Sequence, residues 1–162
     1  MMTSVNKNTR AGFATLIGAP NAGKSTLMNA MVGQKVSIVT PKVQTTRSRI
    51  RGIAMQDEAQ IIFVDTPGIF LPKRRLDRAM VNAAWRGAAD NDVLLLLNDC
   101  ARVSLDDETK MIIAKLVQQG HAAALILNKI DLATPEQILV RTAELSTLFS
   151  FEKVFMVSAH TG

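Results

Sequence analysis

The chain has 162 residues, 48% of them apolar and 20% charged, a length and balance that suit one domain burying its own core. A single cysteine, Cys100, excludes an internal disulfide framework, and no apolar run approaches the roughly 20 residues that span a bilayer. Residues 1–7 lack the apolar stretch of a secretory leader, so the expectation is a soluble cytosolic domain, and a net charge of +5 is too modest to name a partner.

Residues 1–10 read as a polar tail. Gly12–Ile17 is an apolar run consistent with a buried strand, and it ends at the glycine-rich turn Gly18–Gly23. From Lys24 the spacing of Leu27, Met28, Met31 and Val32 predicts a helix that stops at Gly33. Residues 34–47 read as a long loop; Arg49–Met55 and Gln60–Val64 flank Asp57–Glu58 as a hairpin. Asp65–Arg75 is turn-rich, and Leu76–Ala89 has helical spacing. Val93–Leu97 is a strand covered on both faces. Ser104 is a candidate cap for a helix running to Gln119 and ended by Gly120. Ala122–Leu127 is the next buried strand, Thr134–Pro135 opens a helix to about Phe149, and Lys153–Val157 is a last short strand. Strands alternating with helices predict an α/β fold: a mostly parallel six-stranded sheet with one antiparallel edge hairpin and helices on both faces.

The turn after the first strand, Gly18-Ala19-Pro20-Asn21-Ala22-Gly23-Lys24-Ser25, fits the P-loop pattern G-x-x-x-x-G-K-[ST] in the strand-to-helix setting that pattern requires. Its glycines let backbone N–H groups turn inward as an anion nest, and the helix N-terminus adds partial positive charge. Lys24 is the candidate to neutralise β/γ-phosphate oxygens and Ser25 to offer a hydroxyl to Mg²⁺, with Ala19, Pro20, Asn21, Ala22, Gly23 and Thr26 completing the cradle. Asp65-Thr66-Pro67-Gly68 follows an apolar strand; alone it is a good turn, but beside a P-loop Asp65 can hold Mg²⁺ and Gly68 can bring its N–H to the γ-phosphate.

Asn128-Lys129-Ile130-Asp131 follows another strand, where strand ends line the ligand crevice of such folds. A carboxylate at Asp131 can accept from guanine N1–H and N2–H₂, whereas adenine would leave it unpaired, a mismatch that can discriminate by about 10⁴. Asn128 is expected to pin neighbouring loops and meet N7, and the Lys129 stem to cover the base. Ser158-Ala159 follows the last strand and offers the Ala159 N–H to guanine O6, with His160 beside it or solvated. Taken in order, these motifs point to GTP and GDP rather than ATP.

The motifs resemble those of the translation-factor class, and their details resemble the Era family: Gly18–Leu27, Gly33–Thr40, Gln44-Thr45-Thr46-Arg47, Asp65–Gly68, Asn128–Asp131 and Ser158–Gly162. The resemblance covers nearly the whole chain and implies a G domain of the P-loop NTPase fold that hydrolyses GTP as a switch in small ribosomal subunit assembly on 16S rRNA. It implies residues 36–47 and 65–78 as switches, with Thr46 (or Thr45) closing on Mg²⁺ and the γ-phosphate. Ile69 stands where Ras-like enzymes keep a glutamine, which implies slow intrinsic hydrolysis. Asn21 occupies a position associated in related GTPases with K⁺; its alternative role is a loop-stabilising hydrogen bond. A monomer, cytoplasmic with peripheral association at the inner face of the cell membrane, is also implied.

Der- or MnmE-like GTPases and a small-molecule P-loop kinase are the alternatives; Gln44–Arg47 speaks against the first two and Asn128–Asp131 against the kinase. Lys42, Arg47, Arg49 and Arg51 surround the first switch, and Lys73, Arg74, Arg75 and Arg78 cluster at the end of the second, either as a solvated face or as an RNA-responsive patch. Era proteins carry a KH-type RNA-binding domain and close the G domain with one more helix. Neither is read in this sequence, so a fragment with an exposed apolar sheet face is expected.

Overall fold

The computed structural model describes residues 10–34, 50–66, 79, 82, 85–86 and 91–162. Six strands form one sheet in the order β2-β3-β1-β4-β5-β6. They are β1 (Arg10–Gly18), β2 (Ile50–Gln56), β3 (Ala59–Asp65), β4 (Val93–Asp99), β5 (Ala124–Asn128) and β6 (Val154–Met156). β2 and β3 pair antiparallel through the turn at Asp57–Glu58, and every other neighbouring pair is parallel. This is the mostly parallel sheet with one antiparallel edge hairpin that the alternation of elements predicts.

The helices among the described residues are α1 (Lys24–Val32), α2 (Asp107–Gln119) and α3 (Pro135–Leu148), and residues 79, 82, 85 and 86 are also helical. The remainder of the helix expected over 76–89 lies outside the described residues. Each strand's alternation divides its side chains between two layers. Leu16, Phe63, Leu97 and Ile126 pack with Leu27 and Met28 of α1 on one face. Ile17, Leu94, Leu96, Leu125 and Leu127 pack with Trp85, Ile112, Leu116 and Leu145 on the other. At the edge, Val154, Phe155 and Met156 of β6 remain exposed.

Two helix starts show how local chemistry sets boundaries. α3 begins at Thr134 with a complete capping box, in which the Thr134 hydroxyl accepts from Gln137 N and the Gln137 side chain accepts from Thr134 N, and Pro135 occupies the first turn. α2 corrects the expected cap: Asp106, not Ser104, accepts from Thr109 N at 2.7 Å. Leu105 is buried between the two candidates, so the chain dives into the core before the helix can start. Gly33 and Gly120 end α1 and α2 in left-handed conformation, as the sequence pattern predicts.

β1 lies between β3 and β4, so the chain leaves β1 at the point where strand order reverses. Because β1, β3, β4 and β5 run parallel, their C-terminal residues Gly18, Asp65, Asp99 and Asn128 share one edge of the sheet. No helix among the described residues is long and apolar enough to cross a membrane.

Candidate functional site

The loop between β1 and α1 is wrapped around its own lysine. Lys24 is buried and donates from Nζ to the carbonyls of Gly18 and Ala19 at 3.1 and 2.8 Å. Burial lowers its pKa from 10.5 to about 8, partly offset by the attraction of Asp65. Ser25, also buried, donates from Oγ to Asp65 Oδ2 at 2.5 Å. Thr66 anchors the next residue by donating to Leu16 O at 2.7 Å. No side chain caps the N-terminus of α1. Its cap position is Gly23, whose φ of 98° is left-handed, and a Cβ there would drive into the Asn128 amide nitrogen.

These groups fit an anionic ligand carrying a hard cation: a cation at the helix start, and a hydroxyl and carboxylate already side by side. Asn21 sits at the loop's tip with φ 63° and is exposed. Thr45, Thr46, Pro67, Gly68, Ile69 and the basic residues at 42, 47, 49, 73–75 and 78 lie outside the described residues.

The second half of the site is built at the ends of β4, β5 and β6. A cleft of about 420 Å³ is lined by Gly23, Thr26, Asn128, Lys129, Asp131, Leu132, Ser158, Ala159 and His160. Asn128 is buried and joins three segments: Nδ2 donates to Ala22 O at 2.9 Å, and Oδ1 accepts from Ala159 N at 3.0 Å. The pinning expected of Asn128 is therefore present. The Ala159 N–H, expected to face guanine O6, is engaged instead by the Asn128 side chain. Ser158 Oγ, in turn, accepts from Thr161 N at 3.0 Å and folds the last loop back on itself.

Lys129 adopts φ 64°, left-handed for a non-glycine residue, and starts the 3₁₀ turn Ile130–Leu132 that carries Asp131. Its Nζ is 2.6 Å from Asp99 Oδ2. Asp131 lines the cleft with no hydrogen bond or ion pair to any described residue.

Sequence reasoning missed Asp99, because the apolar run ends at Leu97 while the strand continues two residues further. The available signal was a polar pair, Asn98-Asp99, at a strand end, in the same setting as Asp65 and Asn128. It also missed Arg141, which is 3% exposed in α3 and donates to Asn98 Oδ1, Asp99 O and Arg102 O at 2.9, 3.2 and 2.9 Å.

Comparison with known proteins decides the family. The family model described as "50S ribosome-binding GTPase" matches residues 13–129. The chain belongs to that GTPase family. Within the family it is similar to GTPase Era of Bradyrhizobium sp. (strain ORS 278), 54% identical over 154 residues that cover 95% of this chain and 50% of that protein. Among solved structures it is similar to Era in complex with MgGDPNP and nucleotides 1506–1542 of 16S ribosomal RNA, with a TM-score of 0.86 and 32% identity over 95% of this chain and 53% of the other. A point variant of Aquifex aeolicus Era bound to GDP and AlF4⁻ superposes with a TM-score of 0.85 at 33% identity, over 95% of this chain and 53% of the other. The chain thus spans about half the length of the Era proteins it matches, and the half it matches is the P-loop G domain.

Proposed function

We propose that this chain is the guanine-nucleotide switch of an Era-type GTPase, turning GTP and water into GDP and phosphate, and that the whole protein acts in small-subunit assembly on 16S rRNA. The observation that carries the reading is the division of one sheet edge into two complementary halves. One half offers a buried lysine with a serine–aspartate pair; the other offers a cleft with an unspent carboxylate, joined to the first through Asn128. An ATP-dependent kinase also needs a base cleft, but adenine has no N1–H or N2–H₂ for a carboxylate there to read.

Lys24 would exchange its two loop carbonyls for β/γ-phosphate oxygens, and Ser25 and Asp65 would hold Mg²⁺, with Thr46 proposed from the first switch. The metal, when bound, neutralises charge that builds on the phosphates. Asp131 selects the base, and the N–H of Gly68 is proposed to meet the γ-phosphate. None of the site side chains is a strong general base, so catalysis rests on positioning and electrostatics, and the rate is expected to be slow. Asn21 is the proposed ligand for a K⁺ beside the phosphates.

Phosphate release by the full chain tests this directly. GTP should be hydrolysed in Mg²⁺, ATP should not, and turnover should be faster in K⁺ than in matched Na⁺. Equal hydrolysis of ATP and GTP would overturn the guanine reading, and equal rates in the two salts would remove Asn21 from its proposed role.

A further inference from the structure

Lys129 pairs with one carboxylate and shares a cleft with another. Asp131, two residues on, lines the same cleft, and Asp99 reaches across from the end of β4, where it pairs in register with Asn128. The ammonium is on Asp99, at 2.6 Å, and Asp131 has no partner among the described residues.

Asp99 is held in place to receive it. Its other oxygen, Oδ1, accepts from Ala101 N at 3.1 Å, its backbone carbonyl accepts from Arg141, and Arg102 Nε stands 3.9 Å from Oδ2. The Asp99 side chain is 11% exposed and that of Lys129 31%, a partly desolvated setting in which an opposite charge is felt more strongly than in water.

We infer that Asp99 is a positioning residue for base selectivity: it holds the Lys129 ammonium away from Asp131 and so keeps the guanine-accepting carboxylate available. The inference rests on Asp131 being the guanine acceptor. With Asp99 neutralised, the carboxylate left in the cleft that Lys129 lines is that of Asp131, and an ammonium on it competes with the N1–H and N2–H₂ donors of the base.

A carboxylate hydrogen bond from the guanine amino group is worth roughly 10- to 100-fold in affinity. Hypoxanthine lacks that amino group, so the ratio of GDP to IDP affinity reads how fully Asp131 is available. Loss of a purely structural residue would weaken both nucleotides together and leave the ratio alone.

The experiment measures GDP and IDP affinities by titration for the full chain and its variants. Asp99→Asn keeps an oxygen to accept from Ala101 N and removes the charge; the GDP-to-IDP ratio should fall by about tenfold. Asp99→Ser, whose hydroxyl can also accept there, should do the same and serves where Asp99→Asn does not fold. Lys129→Ala placed on either background should bring the ratio back up, although absolute affinity falls further. An unchanged ratio in folded Asp99 variants, or a ratio that stays low after Lys129 is removed, overturns the inference. A wild-type chain that does not prefer GDP to ADP would instead overturn the guanine reading beneath it.

Discussion

The two ends of the site are prepared for their ligands in opposite ways. At the phosphate end, the polar groups are already engaged with each other: Lys24 with the carbonyls of Gly18 and Ala19, and Ser25 with Asp65. On the proposed reading, a triphosphate and its metal would exchange those bonds for new ones. At the base end, the framework groups are engaged, and Asp131, the proposed recognising group, has no partner among the described residues. Asn128 ties Ala22 to Ala159, Lys129 is held by Asp99, and Asp131 is left to face the cleft. On the proposed reading, selectivity rests on a preorganised acceptor, which costs no rearrangement at the moment of binding. Phosphate binding would be an exchange, which would make that end sensitive to pH and metal.

Cutting the tie between the two ends should have the largest effect. Asn128→Ala removes bonds to both loops and leaves the buried Ala22 carbonyl without that donor. Guanine-nucleotide affinity should drop by about 100-fold and stability by about 1–3 kcal/mol, read by titration and by denaturant unfolding. If affinity falls while GDP-over-IDP preference is kept, the bridge orders the loops and Asp131 selects the base on its own. If preference is lost as well, the two ends are less separable than described.

The phosphate end should respond to alkaline pH through Lys24. In the ligand-free chain Lys24 has a lowered pKa of about 8, so charged Lys24 opposes folding fully below that pH. The penalty is relieved as pH rises from about 8 toward 10.5, where the unfolded chain holds the proton and the folded chain does not. A phosphate stabilises the charged form, so nucleotide binding should take up protons, approaching one per site near pH 9 and none below about pH 7. Calorimetry in buffers of differing ionisation enthalpy measures the uptake. Uptake that persists in Lys24→Met would assign it to another group.

Thr134→Ala should have the smallest effect. It removes the capping box of α3 and should cost about 1 kcal/mol of stability, with nucleotide affinity unchanged. A fall in affinity would show that the Arg141 anchor, one helix interior away, depends on how α3 starts.

Much of the fold was legible because it is written in short-range pattern. Continuous apolar runs mark strands covered on both faces, and the P-loop glycines and the Thr134-Pro135 pair mark where helices begin. The boundaries that shifted did so for long-range reasons. β4 runs on to Asp99 because Asn98 and Asp99 pair with Leu127 and Asn128 of β5, a partnership that no local periodicity reports. Arg141 sits in a helix whose pattern gives no warning that a guanidinium will be buried; it is tolerated because oxygens of Asn98, Asp99 and Arg102 receive it and Glu144 pairs with it at 3.3 Å. The Asp99–Lys129 pair spans thirty positions of sequence, and only the sheet order brings the two together. The motif residues were legible in the sequence, the pinning by Asn128 included, whereas Asp99 and Arg141, which brace that edge from outside the motifs, were not.

Asp131 is the residue proposed to read the base. Replacing it by asparagine swaps an acceptor-only side chain for an amide whose NH₂ can donate to the C2 carbonyl of xanthine. Titration of the full chain carrying Asp131→Asn with GDP and XDP should show GDP affinity down by about a hundredfold or more and XDP bound more tightly than GDP, a reversal of the wild-type order. Retention of the GDP preference in a folded Asp131→Asn chain would contradict the account.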